Sequence, residues 1–162
     1  MKNLYLSNSD KIVLVDDKDY DRVFNYSKWI LVKSKSGDTI TSSIYTGIVL
    51  GRFILGLKSF RFDKRIADHK DGNIFDCRRS NLRIATKQQN QWNTKLLSKH
   101  NTSGYKGVCW FKTRNKWMTK ITLNNKTIFI GYFDCIIQAA LAYDRKAKEL
   151  FGQFARCNYT IT

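Results

Sequence analysis

Near the end of the chain two strand-like runs, KWMTKITL (116–123) and KTIFIGYF (126–133), are separated only by Asn124-Asn125. Both runs are dense in β-branched and aromatic residues, and asparagine tolerates the positive φ that a two-residue hairpin loop requires. The chain must double back there as an antiparallel pair. A third strand candidate, YKGVCWF (105–111), precedes them across a turn at Thr113-Arg114-Asn115. Behind them Ile137, Ala140, Tyr143 or Asp144, Ala147 and Phe151 mark one helical face, with Gly152 as its stop. This pattern predicts a three-stranded antiparallel sheet packed on one helix, whose alanines let it lie close to the strands.

The N-terminal part is also β-rich. KIVLV (11–15), KWILVKS (28–34) and TITSSIYTGIVLGRFIL (39–55) read as strands, separated by the turn-like DDKDYD and KSGD. The carboxylates Asp16, Asp17, Asp19 and Asp21 lack the glycine and closing glutamate of a calcium loop, so the tract is expected to be a solvated loop or a helix start. Next, SFRFDKRIADH (59–69) reads as strand-like, Lys70-Asp71-Gly72-Asn73 as a turn, and the polar residues through Arg79 as a second extended piece. Ser80 suits an N-cap, and Leu82, Ala85, Gln89 and Trp92 recur at helical intervals. A helix opened by Asn81 and carrying Asn90 is therefore expected. Residues 94–103 are polar and aperiodic, and are expected to be a linker between a domain at 1–93 and one at 104–162. The fold class expected is α+β.

Lys and Arg number 29 against 13 Asp and Glu, a formal net charge of +16. The excess is uneven: residues 1–60 carry 9 basic and 6 acidic groups, and residues 101–162 carry 10 and 3. Basic groups interleaved with Trp and Tyr call for a polyanion, and no basic amphipathic helix of useful length suggests a membrane surface. Nucleic acid is the expected partner. No apolar run reaches the roughly 20 residues that span a bilayer, and MKNLYLSNSDK lacks a signal-peptide pattern, so a cytoplasmic location is expected. Cys77, Cys109, Cys135 and Cys157 form no C-x-x-C pair, and no histidines stand at zinc-ligand spacing, so free thiols and no zinc are expected.

The stretch Ala67–Asn90, ADHKDGNIFDCRRSNLRIATKQQN, concentrates groups that phosphodiester hydrolysis needs. Such a reaction requires a base for water, a cation against the charge developing on phosphorus, and stabilisation of the leaving oxygen. Asp68 offers a hard oxygen and His69 an imidazole. Adjacent residues at a strand end point to opposite faces, so a helix must bring further groups alongside. A carboxylate and an amide oxygen leave most of an octahedral shell to water and phosphate oxygens, which suits Mg²⁺ or Mn²⁺.

In this stretch Asp68, His69, Asp71, Gly72, Asn73, Asn81, Leu82, Arg83, Thr86 and Asn90 stand in register with the HNH nuclease motif. The segment resembles the ββα-metal fold in its phage and group I intron homing-endonuclease branch. The resemblance implies His69 as general base, Asp68 and Asn90 as ligands of one divalent ion, and Asn81 as the residue that holds the loop and orients His69. It implies an HNH motif at 61–93 behind a β-rich N-terminal part, with Arg52, Arg78, Arg79 and Arg83 as candidate DNA contacts. Relatives often carry a His beside the Arg of the last N-terminal element, where this chain has Gly51-Arg52.

The block 104–159 resembles the APETALA2/ethylene-response-factor DNA-binding domain through Tyr105-Lys106-Gly107-Val108, Trp117, Ile130-Gly131-Tyr132-Phe133, Ala142-Tyr143-Asp144, Gly152 and Asn158. It implies a sheet that lies in the major groove of double-stranded DNA. Lys106, Trp110, Lys112, Arg114, Lys116, Trp117, Lys120 and Thr122 are the candidate contacts, Trp117 being equally a candidate core aromatic. Taken together, these readings predict a site-specific, phage- or intron-encoded DNA endonuclease of the homing type. One motif per chain predicts a monomer that nicks one strand. The rival is a non-catalytic DNA-binding regulator with a decayed nuclease module.

Overall fold

The computed structural model describes residues 1–35, 37–44, 47–94, 97 and 100–159. The chain forms two compact units, residues 1–90 and 91–162. Four residues of the expected linker (95, 96, 98 and 99) lie outside the described residues, as do 160–162 at the C-terminus.

In the first unit β1 (Lys2–Leu6) and β2 (Ser9–Val15) pair antiparallel. Their inward positions, Leu4, Leu6, Val13 and Val15, alternate with exposed ones, as a half-buried hairpin demands. The carboxylate tract then becomes α1 (Asp17–Tyr26), so the helix-start reading holds and the loop reading does not. Asp19 within it is buried, against the expectation of a solvated tract. β3 (Trp29–Val32) and β4 (Thr39–Ser42) form a second antiparallel pair. The run IVLGRFIL, expected as strand, folds as a short helix, α2 (Leu50–Ile54). Its Leu50 and Ile54, one helical turn apart, enter a core with Val13, Val15, Val23, Trp29, Ile40, Cys77 and Leu82.

Of the strand expected over 59–69 only β5 (Ile66–His69) is extended. It pairs antiparallel with β6 (Leu82–Ala85), with His69 opposite Leu82 and Asp68 opposite Arg83. α3 (Lys87–Trp92) follows. The helix therefore starts six residues after Asn81, which lies in the loop before β6. Leu82 and Ala85 are buried as expected, but from a strand, because pairing with β5 supplies the backbone partners that a helix would otherwise have provided. The loop 70–81 is anchored on β2 by Leu14 N donating to Phe75 O at 2.8 Å and Cys77 N donating to Leu14 O at 2.9 Å.

The second unit is a three-stranded antiparallel sheet in the order β7 (Val108–Phe111), β8 (Lys116–Leu123), β9 (Lys126–Phe133), followed by α4 (Ile136–Phe151). Asn124 and Asn125 both adopt positive φ, 50° and 60°, and close the predicted two-residue hairpin. Val108, Thr119 and Ile121 face the helix, where Ala139, Ala140, Ala142 and Ala147 are buried. Gly107 is needed here: at φ 76° a Cβ would lie 2.1 Å from the Tyr143 ring. Asp144, fully buried, accepts from the backbone N–H of Asn158 (2.7 Å) and of Tyr159 (2.9 Å) and from Asn158 Nδ2 (3.0 Å). Asn158 Oδ1 accepts in turn from Lys106 N at 2.7 Å, so a buried, hydrogen-bonded carboxyl ties Asn158 and Tyr159 to the start of the sheet. The α+β class expected from the sequence is the one the chain adopts, as mixed helices and small antiparallel sheets.

Candidate active site and nucleic-acid face

Strand β5 ends at His69, whose ring faces a cleft of about 310 Å³. The cleft is also lined by Gly51 and Arg52 of α2, by Phe60, by Cys77 and by Asn90 of α3. The fold thus brings His69 and Asn90 together, although 21 positions separate them in sequence. Burial pulls the imidazole below its usual range, against the opposing pull of Asp68, Asp71 and Asp76, so His69 is neutral at neutral pH. Cys77 Sγ lies 3.6 Å from His69 Nε2 and 3.4 Å from the Ile74 carbonyl. Buried away from water, its thiol is pushed up to about 12 and stays protonated.

Asn81 is 8% exposed, and its amide is engaged at both ends. Oδ1 accepts from Asp71 N at 3.1 Å, while Nδ2 donates to Asp71 Oδ1 at 2.8 Å and to Asp76 O at 2.9 Å. Lys70 N also donates to the Asn81 carbonyl at 2.8 Å. Asn81 therefore holds closed the loop that leads from His69 to β6. Asp71 and Asn73 each accept a backbone N–H two residues ahead, the habit of such side chains in tight turns.

Asp68 is not among the residues lining the cleft with His69. It is 4% exposed, and its Oδ2 accepts from Arg83 Nε at 2.7 Å across the β5–β6 pair. A carboxylate offers about four acceptor positions, so this bond does not exhaust it. Asp68 on β5 and Asn90 on α3 carry hard oxygen donors within one ββα unit, but only Asn90 lines the cleft with His69.

The arginines near the motif are mostly committed within the protein. Arg52, 6% exposed, donates to the carbonyls of Lys58, Asp63 and Arg65. It staples the segment before β5 while also lining the cleft with His69. Arg83, its side chain 10% exposed, is paired with the buried Asp68. Arg79 bridges the loop to α1 through Asp19 (2.6 and 2.9 Å), and Arg78 pairs with Asp76 at 2.5 Å, each keeping a partly exposed side chain. The Arg79 guanidinium, with Arg22, holds the Asp19 carboxyl below its usual range.

On the sheet of the second unit the expected contacts divide between two faces. Lys120 and Thr122 alternate with the buried Thr119 and Ile121, and so stand on the face away from α4, both exposed. Lys116 shares that parity and pairs with Asp134 at 3.0 Å. Lys112 and Arg114 sit in the turn between β7 and β8, with Arg114 over the Tyr132 ring at 4.9 Å. Trp117 packs toward the helix against the Val108, Ala139 and Ala140 cluster, and Trp110 meets it edge to face at 5.0 Å. Both tryptophans therefore belong to the helix side of the sheet rather than to its open face. Lys106 Nζ donates to the carbonyls of Trp92 (2.8 Å) and Thr94 (3.0 Å), and burial lowers it to about 8. Sequence reading missed Phe111, Met118, Phe129 and Tyr132 on the open face. The period-2 alternation of β7 and β8 would have found Phe111 and Met118, whereas the bulge opposite Thr119/Lys120 shifts the register between Tyr132 and Phe129.

The model of a family described as HNH endonuclease matches residues 63–92, and that of the AP2 domain matches residues 103–153. Protein 3.8 of Escherichia phage T7 is 42% identical over 89 residues, 55% of this chain and 72% of that protein. The chain belongs to the HNH endonuclease family. An uncharacterized HNH endonuclease of Acanthamoeba polyphaga mimivirus is 38% identical over 91 residues, 56% of this chain and 46% of the relative. An AP2-like ethylene-responsive transcription factor of Arabidopsis thaliana is 35% identical over 60 residues, 37% of this chain but only 12% of the plant protein. The HNH module thus carries an AP2 domain behind it, and the ββα unit of β5, β6 and α3 coincides with the matched HNH segment.

Proposed function

We propose that this HNH endonuclease is a site-specific DNA nuclease of the homing type that nicks one strand, acting in the cytoplasm of a host cell as a monomer. The observation that carries the reading is His69 lining a cleft with Asn90, at the head of the loop that Asn81 holds closed. His69 takes a proton from the attacking water. Asp68 and Asn90 would hold one Mg²⁺ or Mn²⁺, which when bound would supply Lewis-acid stabilisation of the phosphate charge. Arg83 keeps the Asp68 carboxylate oriented from the opposite strand. Residues 1–93 are the nuclease domain and 104–162 the domain that selects the site, through a sheet laid in the major groove of duplex DNA.

The test is a nicking assay on supercoiled DNA carrying the locus around the gene, with Mg²⁺, with Mn²⁺ and with EDTA. Run-off sequencing of the product reads the position and strand. Nicks that need the metal and vanish in His69→Ala, while DNA binding persists, support the proposal. Equal nicking by wild type and His69→Ala rejects His69 as the base, and intact supercoils in every condition leave the non-catalytic regulator.

A further inference from the structure

The open face of the β7–β9 sheet has an apolar centre and a cationic margin, an arrangement that selects among base edges in a particular way. Alternation from the helix-facing residues puts Cys109 and Phe111 of β7, Met118 of β8, and Phe129 and Tyr132 of β9 on this face. The rings are assembled: Phe111 lies 5.4 Å and Phe129 4.9 Å from Tyr132. Phe129 is 55% exposed, which leaves a phenyl ring largely in water. Cations stand around the cluster. Arg114 lies over Tyr132, Lys120 is directly opposite Phe129 in the register, and Lys116 flanks Phe111.

The margin suits phosphates, whose contacts carry no sequence information. The centre decides what can be read. The Met118 thioether and the Phe111 and Phe129 rings offer base edges no strong donor or acceptor, so these three, unlike the Tyr132 hydroxyl or the Lys120 ammonium beside them, cannot tell guanine from adenine by hydrogen bonds. One major-groove feature rewards an apolar partner, the C5-methyl group of thymine. We infer that this face selects its site through thymine methyl groups packed against Phe129, Met118 and Phe111, rather than chiefly through arginine contacts to guanine. The inference rests on the proposed placement of the sheet in the major groove.

The test starts with the full chain and a random duplex library, from which bound sequences are selected. The selected duplex is then synthesised with thymine or with deoxyuracil, which lacks only the methyl, and affinities are measured at one salt concentration. The expected result is an A·T-containing site whose affinity falls about fourfold for each contacted methyl removed, the factor carried by burying one methyl-sized group. Phe129→Ala and Met118→Ala should bind the thymine duplex about as weakly as wild type binds the uracil duplex, and should lose most of the difference between the two. Because Phe129 is exposed, its truncation leaves the melting temperature near wild type. Equal affinity for both duplexes, or a selected site without thymine, overturns the inference and leaves DNA binding standing. If the patch instead docks a second copy of the chain, sedimentation shows a dimer that Phe129→Ala dissolves, and the thymine inference fails. No enrichment of any duplex removes the DNA-reading role and this inference with it.

Discussion

Replacing Asn81 tests whether one amide holds the loop that positions His69. Asn81→Ala removes three hydrogen bonds, to Asp71 N, Asp71 Oδ1 and Asp76 O, at a site only 8% exposed. With each net bond contributing about 1 kcal/mol, the loss is about 3 kcal/mol, and more if the Asp76 carbonyl stays dry. For a chain of this size that corresponds to a fall in melting temperature of roughly 10 °C. Asn81→Asp is the sharper variant. It keeps the acceptor for Asp71 N–H but turns an oxygen, not an N–H, toward Asp71 Oδ1 and Asp76 O, which now lie 2.8 and 2.9 Å from the amide nitrogen. At neutral pH it should cost at least as much as alanine, and acid should relieve it in part, because protonating either carboxyl restores a donor. Thermal melting followed by circular dichroism at pH 5 and pH 8, with nicking rates at a temperature where each variant is folded, measures both effects. If Asn81→Asp melts with wild type, the amide does not donate as described and the loop is held by something else.

His69 should make both activity and stability pH-dependent. Its folded pKa lies below the unfolded value near 6.5, so the unfolded chain takes up the proton first as pH falls. The stability of the neutral ring is full above about pH 6.5 and declines as pH drops toward the folded pKa. Nicking should be flat above neutrality and fall in the same window, and a His69→Asn variant that keeps the same decline in stability would refute the assignment. Arg52→Met should lower stability by about 3 kcal/mol, since three carbonyls lose a charged donor, and leave DNA affinity of the folded variant unchanged. Weaker binding at unaltered melting would instead return Arg52 to the DNA surface. Gly107→Ala should destabilise the second unit by about 3–5 kcal/mol, because a positive φ and the Tyr143 ring both oppose the added methyl. A variant that melts normally and binds DNA would show that the β7 start can move.

What was legible in the sequence differs between the two units for a physical reason. Around Asn124-Asn125 local signals and tertiary structure agree: a turn that asparagine favours, strands of β-branched residues, and a helix with small residues on one face. The sheet and α4 could therefore be read almost whole. In the first unit the signals are ambiguous. Leu82 and Ala85 satisfy a helical spacing, yet β5 is available as a partner and the segment pairs with it. IVLGRFIL is β-branched at its start, yet Leu50 and Ile54 reach one core by a single helical turn. The candidate site was legible as a set of chemical groups because Asp68, His69, Asn81 and Asn90 stand at the spacings of the HNH motif, but the fold puts only His69 and Asn90 of these in one cleft, and their partners were not legible. Nothing local pairs Asp68 with Arg83, sets Cys77 beside His69, or turns Arg52 onto three carbonyls, since each contact depends on how separate segments meet. The same limit governs the charges. Sequence counts every arginine as available to DNA, whereas folding commits Arg52 and Arg83 inward and ties Arg79 to a buried Asp19, so net charge overstates what the nuclease unit can offer a phosphate.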